Sequence, residues 1–237
     1  MTDTKPIHRI AIIGTGVIGA SWSALFLAKG LEVTATDVAP NAEAALRRFV
    51  DEAWPALKRL GLAPGASPSK LKFTAALADA VKGADLVQEN GPERIDFKKK
   101  LYGQLDELLP ADVILASSSS GLTMSEIQTG AASHPERCVI AHPFNPPHLI
   151  PLVEIVGGAK TSEATIQRAL KFFNSLGKRA IHLHKELPGH VSPTGCKQPW
   201  RAKSITSLPK ALSAQPMSTP HSPGDQACAG ESWAICF

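Results

Sequence analysis

Short apolar runs separated by longer segments of helical period organise the first four-fifths of the chain. Ile10 to Ile13 is uninterrupted by polar residues, as a strand covered on both faces requires. A glycine-rich hexapeptide follows, then an apolar helix through Trp22, Leu25, Phe26 and Leu27, with Gly30 placed to end it. Leu31 to Thr36 predicts a second strand. Asn41 to Leu60 predicts a helix that Pro55 is expected to kink or end. Pro64 to Pro68 reads as a loop, Leu71 to Phe73 as a short strand and Ala76 to Lys82 as a small helix.

The alternation continues. Strands are predicted at Ala84 to Gln88, Val113 to Ala116, Cys138 to Ala141, Leu152 to Val156 and Arg179 to Leu183. Helices are predicted at Arg94 to Leu109, Thr123 to Gln128 and Ser162 to Leu176. In the first of these, Phe97, Leu101, Leu105 and Leu108 are expected on the core side. Thr123 or Ser125 is expected to cap the second. Strand alternating with helix implies an α/β fold, a Rossmann-like, doubly wound and mostly parallel sheet.

In such sheets ligands gather at the carboxyl ends of strands. The polar clusters fall there: the glycine loop, Glu93, the run Ser117 to Ser120, and His142 with Asn145. Gly14-Thr15-Gly16-Val17-Ile18-Gly19 is G-x-G-x-x-G between a strand and a helix. Gly14 permits the tight turn, Gly16 lets a pyrophosphate reach the backbone, and Gly19 lets helix pack on strand. The helix start beyond it, at Val17 and Ile18, offers unpaired N–H groups to phosphate. Asp37 lies eighteen residues past Gly19, where an acid accepts from ribose hydroxyls and repels a 2′-phosphate, favouring NAD over NADP. The alternative is a glycine turn in another kind of α/β domain, with Asp37 an ordinary strand-end residue.

Five segments together resemble the L-3-hydroxyacyl-CoA dehydrogenase family over residues 8 to about 191. They are the glycine hexapeptide, Ala116 to Leu122, His142-Pro143-Phe144-Asn145-Pro146, Leu152-Val153-Glu154 and Pro188-Gly189. Ala141 to Gly158 looks closest to the branch acting on small, CoA-free 3-hydroxy acids, which includes L-gulonate 3-dehydrogenase, its lens-crystallin relative and L-carnitine dehydrogenase. The resemblance implies an NAD-dependent oxidoreductase that turns the 3-hydroxyl of an L-3-hydroxyacyl-CoA or small 3-hydroxy acid into a ketone. It makes His142 the catalytic base, Glu154 the acid orienting its imidazole, and Ser120 the hydrogen-bond partner of the substrate oxygen. Glu93, Lys98 and Asn145 match residues near the cofactor's ribose and nicotinamide. Outside the resemblance, His142 reads as a structural histidine, Ser117 to Ser120 as a polar loop, Glu154 as an edge-strand acid and Lys98 as part of the solvated run Lys98-Lys99-Lys100. Two rivals remain: a β-hydroxyacid dehydrogenase with a catalytic lysine, and a non-catalytic NAD-binding or structural protein. The family uses no metal, so none is expected from His182, His184 and His190.

Composition narrows the partners. Across 237 residues the hydrophobic share is 43%, enough to fill a core, and the net charge is only +4. No stripe of Lys and Arg interleaved with aromatics marks a nucleic-acid face. No apolar run approaches the roughly 18 residues of a membrane span. Met1 to Pro6 is polar, without a signal-peptide core, and the body holds one cysteine, Cys138. A reduced, cytoplasmic setting is the default expectation.

The segment after about Gly189 differs. It loses hydrophobic period and holds Pro193, Pro199, Pro209, Pro216, Pro220 and Pro223. The family continues from Pro-Gly into a helix beginning Asn-Arg-Leu. In the frame that joins the last base of one codon to two of the next, Pro193–Thr194 permits Asn, Thr194–Gly195 permits Arg and Gly195–Cys196 permits Leu. We therefore expect an NAD-binding domain over residues 1–188 and an out-of-frame, disordered tail over 189–237. The helical domain that closes the family's cleft and forms its homodimer is then missing. An exposed apolar face and very low turnover are expected to follow. The alternative is a genuine Pro/Ser-rich tail.

Overall fold

The computed structural model describes residues 6–186. The domain boundary at 188, the tail over 189–237 and His190 lie outside the described residues. Eight strands form one sheet: β1 (Arg9–Ile13), β2 (Glu32–Thr36), β3 (Leu71–Phe73), β4 (Leu86–Glu89), β5 (Ile114–Ser117), β6 (Cys138–Pro143), β7 (Leu152–Gly157) and β8 (Arg179–Leu183). Their order is β3-β2-β1-β4-β5-β6-β7-β8. Six α-helices accompany them: α1 (Val17–Ala28), α2 (Ala42–Leu60), α3 (Leu77–Val81), α4 (Ile95–Leu108), α5 (Met124–Ile127) and α6 (Glu163–Ser175).

Every neighbouring pair is parallel except β6 with β7. The exception follows from chain length. Only residues 144–151 join these two strands, too few for the crossover that a parallel pair needs. The chain therefore turns back, and His142 falls opposite Glu154 in the register. After β7, α6 provides a crossover and β8 is parallel again.

Successive strand residues point to opposite faces, and both faces are covered. Ile10 and Ile12 join Trp22, Phe26, Leu46, Val50 and Phe173 in one core. Ala11 and Ile13 join Leu101, Tyr102, Leu105, Met124 and Ile140 in the other. In the first core Trp22 stacks on Phe26 at 5.3 Å and meets Phe173 at 5.4 Å between ring centroids.

Of the two outcomes expected of Pro55, the helix end does not occur: α2 runs on to Leu60. The proline removes one intrahelical bond, that to the exposed Asp51. Buried Val50, Ala53, Trp54 and Leu57 hold the helix on both sides of it. The core face of α4 is also rotated from the expected one. Leu101 and Leu105 are buried, but with Lys98 and Tyr102, while Phe97 and Leu108 are 39% and 45% exposed. An apolar period did not anticipate a buried ammonium on that face. Of the two cap candidates for α5 it is Thr123 whose side chain accepts from the Glu126 N–H.

Phe26 is fully buried between two aromatic rings. Phe26→Ala is expected to lower unfolding free energy by about 3–5 kcal/mol, read as a lower urea midpoint at unchanged slope.

Candidate functional site

The order of the sheet reverses between β1 and β4, so a crevice opens at their carboxyl ends. The glycine loop leaves β1 there. Gly14 has φ +82°, and a Cβ on it would lie 2.8 Å from the Asn90 carbonyl oxygen. A Cβ on Gly19 would overlap the Gly14 carbonyl oxygen. Gly16 stands at the N-cap of α1, which has no side-chain cap and no acid in its first turn. Val17 is exposed and Ile18 half-buried. The first N–H groups of α1 thus face outward at the positive end of its dipole, a fit for a phosphate.

Asp37, just past β2, does more than the sequence led us to expect. Its Oδ2 accepts from the Thr15 N–H at 2.6 Å and the Thr15 hydroxyl at 3.0 Å, and its Oδ1 accepts from the Ala39 N–H at 2.9 Å. The acid therefore ties down the glycine loop while keeping acceptor capacity for a ribose. Burial pushes its carboxyl up, but the hydrogen bonds from Thr15 and Ala39 outweigh burial and hold it below the usual carboxylate range.

The second wall is the serine loop after β5. Glu93 Oε1 accepts from the backbone N–H groups of Ser120, Gly121 and Leu122 at 3.1, 2.6 and 3.1 Å, and from the Ser119 hydroxyl at 2.6 Å. Ser120 is exposed at this loop. Lys98, read from sequence as one of a solvated run or as a cofactor neighbour, is buried while Lys99 and Lys100 are exposed. Its Nζ donates to both oxygens of Glu89 at 2.8 Å and lies 3.8 Å from Glu93.

Serine 118 joins the two loops. Ser118 Oγ accepts from Trp22 Nε1 at 3.2 Å and Gln88 Nε2 at 2.8 Å, and donates to Asn90 Oδ1 at 2.8 Å. Asn90 Nδ2 donates to the Ile13 and Gln88 carbonyls. Gln88 Nε2 also reaches the carbonyl of Ala141, the residue before His142, at 3.5 Å. One network thus links the strand below the glycine loop to the strand that carries His142.

On β6 and β7, His142 Nδ1 lies 3.0 Å from Glu154 Oε2, with side chains 16% and 4% exposed. A carboxylate can only accept here, so in the neutral imidazole Nδ1 carries the hydrogen and the lone pair is left on Nε2. Phe144 stands edge-on to the imidazole at 5.9 Å. Asn145 is exposed just past β6. The loop beyond it is anchored by Lys178, which donates to the carbonyls of Pro147 and Ile150, and by His148, whose N–H donates to Ser21 Oγ at 3.0 Å. Burial and the nearby Lys29 charge lower the Lys178 ammonium to about 8. Cys138 is buried in β6, and burial raises its thiol to about 12.

Sequence reasoning missed Glu89, Asn90 and Gln88 as site residues and named Ser118 only within the run Ser117 to Ser120. A Glu closing an apolar strand nine residues before a Lys was the available signal for Glu89.

Residues 9–187 match the family model described as 3-hydroxyacyl-CoA dehydrogenase, NAD binding domain. An L-carnitine dehydrogenase of Streptomyces coelicolor is 49% identical over 201 residues, covering 85% of this chain and 63% of that protein. A solved 5-formyl-3-hydroxy-2-methylpyridine 4-carboxylic acid 5-dehydrogenase, an NAD+-dependent dismutase, superposes with TM-score 0.73 at 38% identity, over 78% of this chain and 60% of its own. Escherichia coli 3-hydroxybutyryl-CoA dehydrogenase superposes with TM-score 0.69 at 26% identity, over 76% and 39%. The chain thus spans less than two thirds of the length of these relatives. Among the described residues no helix is long and apolar enough to cross a membrane.

Because the folded Asp37 carboxyl is held low, its contribution to stability is full above the ordinary carboxylate pKa and is lost as pH falls through the folded value. Asp37→Asn is therefore expected to flatten the acid limb of a stability-against-pH curve below about pH 4, with thermal unfolding as the measurement.

Proposed function

The chain belongs to the 3-hydroxyacyl-CoA dehydrogenase family through its NAD-binding domain, and from that premise we propose that it oxidises the 3-hydroxyl of a small 3-hydroxy acid or 3-hydroxyacyl-CoA. The His142–Glu154 pair carries the reading. NAD+, when bound, supplies the hydride acceptor. The glycine loop and the start of α1 would hold its pyrophosphate and Asp37 its adenosine ribose, while Glu93, Lys98 and Asn145 would serve the nicotinamide half.

His142 Nε2 takes the proton of the 3-hydroxyl as the C3–H bond breaks. The electron pair of the O–H bond becomes the second bond of the ketone, and the hydride departs from C3. Glu154 keeps the imidazole in the proton-accepting tautomer and stabilises the imidazolium that forms. The Ser120 hydroxyl donates to the substrate oxygen. The L-carnitine dehydrogenase relative favours a CoA-free 3-hydroxy acid as substrate. The segment from Ser192 lacks the asparagine of the family's next helix, so turnover by this chain is expected to be slow, and homodimer formation would need residues beyond those described.

Single-turnover mixing of the protein with NAD+ and a 3-hydroxy acid, followed at the NADH absorbance, tests the proposal. His142→Ala is expected to slow NADH formation by about 10²- to 10⁴-fold with NADH affinity kept. An unchanged rate removes His142 as the base, and cofactor binding with no hydride transfer in the wild-type chain favours the non-catalytic alternative.

A further inference from the structure

The nicotinamide side of the site rests on a carboxylate that none of the sequence motifs contains. Glu89 ends β4 with its side chain 1% exposed. Its Oε1 accepts from the Gly91 N–H at 2.6 Å and its Oε2 from the Ser117 hydroxyl at 2.6 Å, while Lys98 Nζ donates to both oxygens at 2.8 Å. All of its acceptor demand is met inside the protein.

Lys98 would not stay there unaided. Its side chain is also 1% exposed, and it sits in the first turn of α4, where the helix dipole repels a cation. A buried ammonium without a counter-ion is strongly unfavourable. Glu89 offsets both penalties and so fixes an ammonium 3.8 Å from Glu93 Oε2. The other oxygen of Glu93 gathers the Ser120, Gly121 and Leu122 N–H groups. Ser117, at the root of the same loop, is bound to Glu89 directly, and the Ser119 N–H donates to Ser117 Oγ at 3.1 Å. The serine loop is thus held at its base by Glu89 and along its crest by Glu93, with Lys98 between the two acids.

We propose that Glu89 is the positioning residue for the nicotinamide half of the cofactor site, acting through Lys98, Ser117 and Glu93 without touching the cofactor. This rests on the cofactor placement given above. Asp37 bonds Thr15 directly and not through the Glu89 side chain, so the adenosine half is expected to depend on Glu89 far less than the nicotinamide half.

Titration calorimetry of the full chain with NADH and with ADP-ribose separates the two halves. E89Q leaves Lys98 without its buried counter-ion and is expected to weaken NADH binding by about tenfold or more, with ADP-ribose affinity kept within about twofold. The double variant E89Q/K98M leaves neither charge unpaired and is expected to fold even if E89Q does not, with the same selective loss of NADH affinity. Equal losses for both ligands, or no loss for either, overturn the assignment. Failure of the wild-type chain to bind ADP-ribose would instead remove the cofactor-site reading on which the assignment stands.

Discussion

A parallel strand packed between two helical layers has no room for polar side chains along its length, and that exclusion arranges this whole chain. β1 is apolar from Ile10 to Ile13, β5 until Ser117, and β4 until Gln88 and Glu89. Polarity is displaced to the carboxyl edge, where Glu89 and Ser117 are register partners and Ile13, the residue before Gly14, is the partner of Glu89 on the other side. A rim built this way is forced to satisfy its polar groups with one another, because the cores below it offer no partners.

The partners found at the rim are specific. Asp37 closes the glycine loop through Thr15, Glu93 closes the serine loop through three backbone N–H groups, and Glu89 joins strand β5 to helix α4 through Lys98. Three carboxylates therefore shape the site as supports before any of them meets a ligand. Glu154 is a fourth, aimed at His142 by the one antiparallel pairing among the described residues. That pairing is a consequence of the short link over residues 144–151, so a count of connecting residues determines the orientation of the imidazole.

Much of this was legible in the sequence because strand and helix periods differ and the apolar runs are clean. Each of the eight strands falls where its run predicts it, and the His142–Glu154 approach follows from their spacing across one turn. The failures share a cause. Pro55 and the face of α4 were read from local chemistry, whereas tertiary contacts decided them: the buried residues around the proline in one case, the Glu89–Lys98 ion pair in the other. Lys98 stands beside two lysines that are exposed, and only its helical spacing from Leu101 and Leu105 sets it apart from them. Asp37 was recognised by its distance from the glycines, but its grip on Thr15 depends on the strand order and was invisible.

The central claim is that the phosphate-binding loop and the imidazole of His142 open onto one crevice. A crystal structure of the chain with NADH tests it most directly. The account requires the pyrophosphate at the start of α1, and the nicotinamide C4 within the reach of one small substrate from His142 Nε2, between the serine loop and Phe144. A nicotinamide ring bound on the far side of β2, or a pyrophosphate away from Gly16, would contradict it.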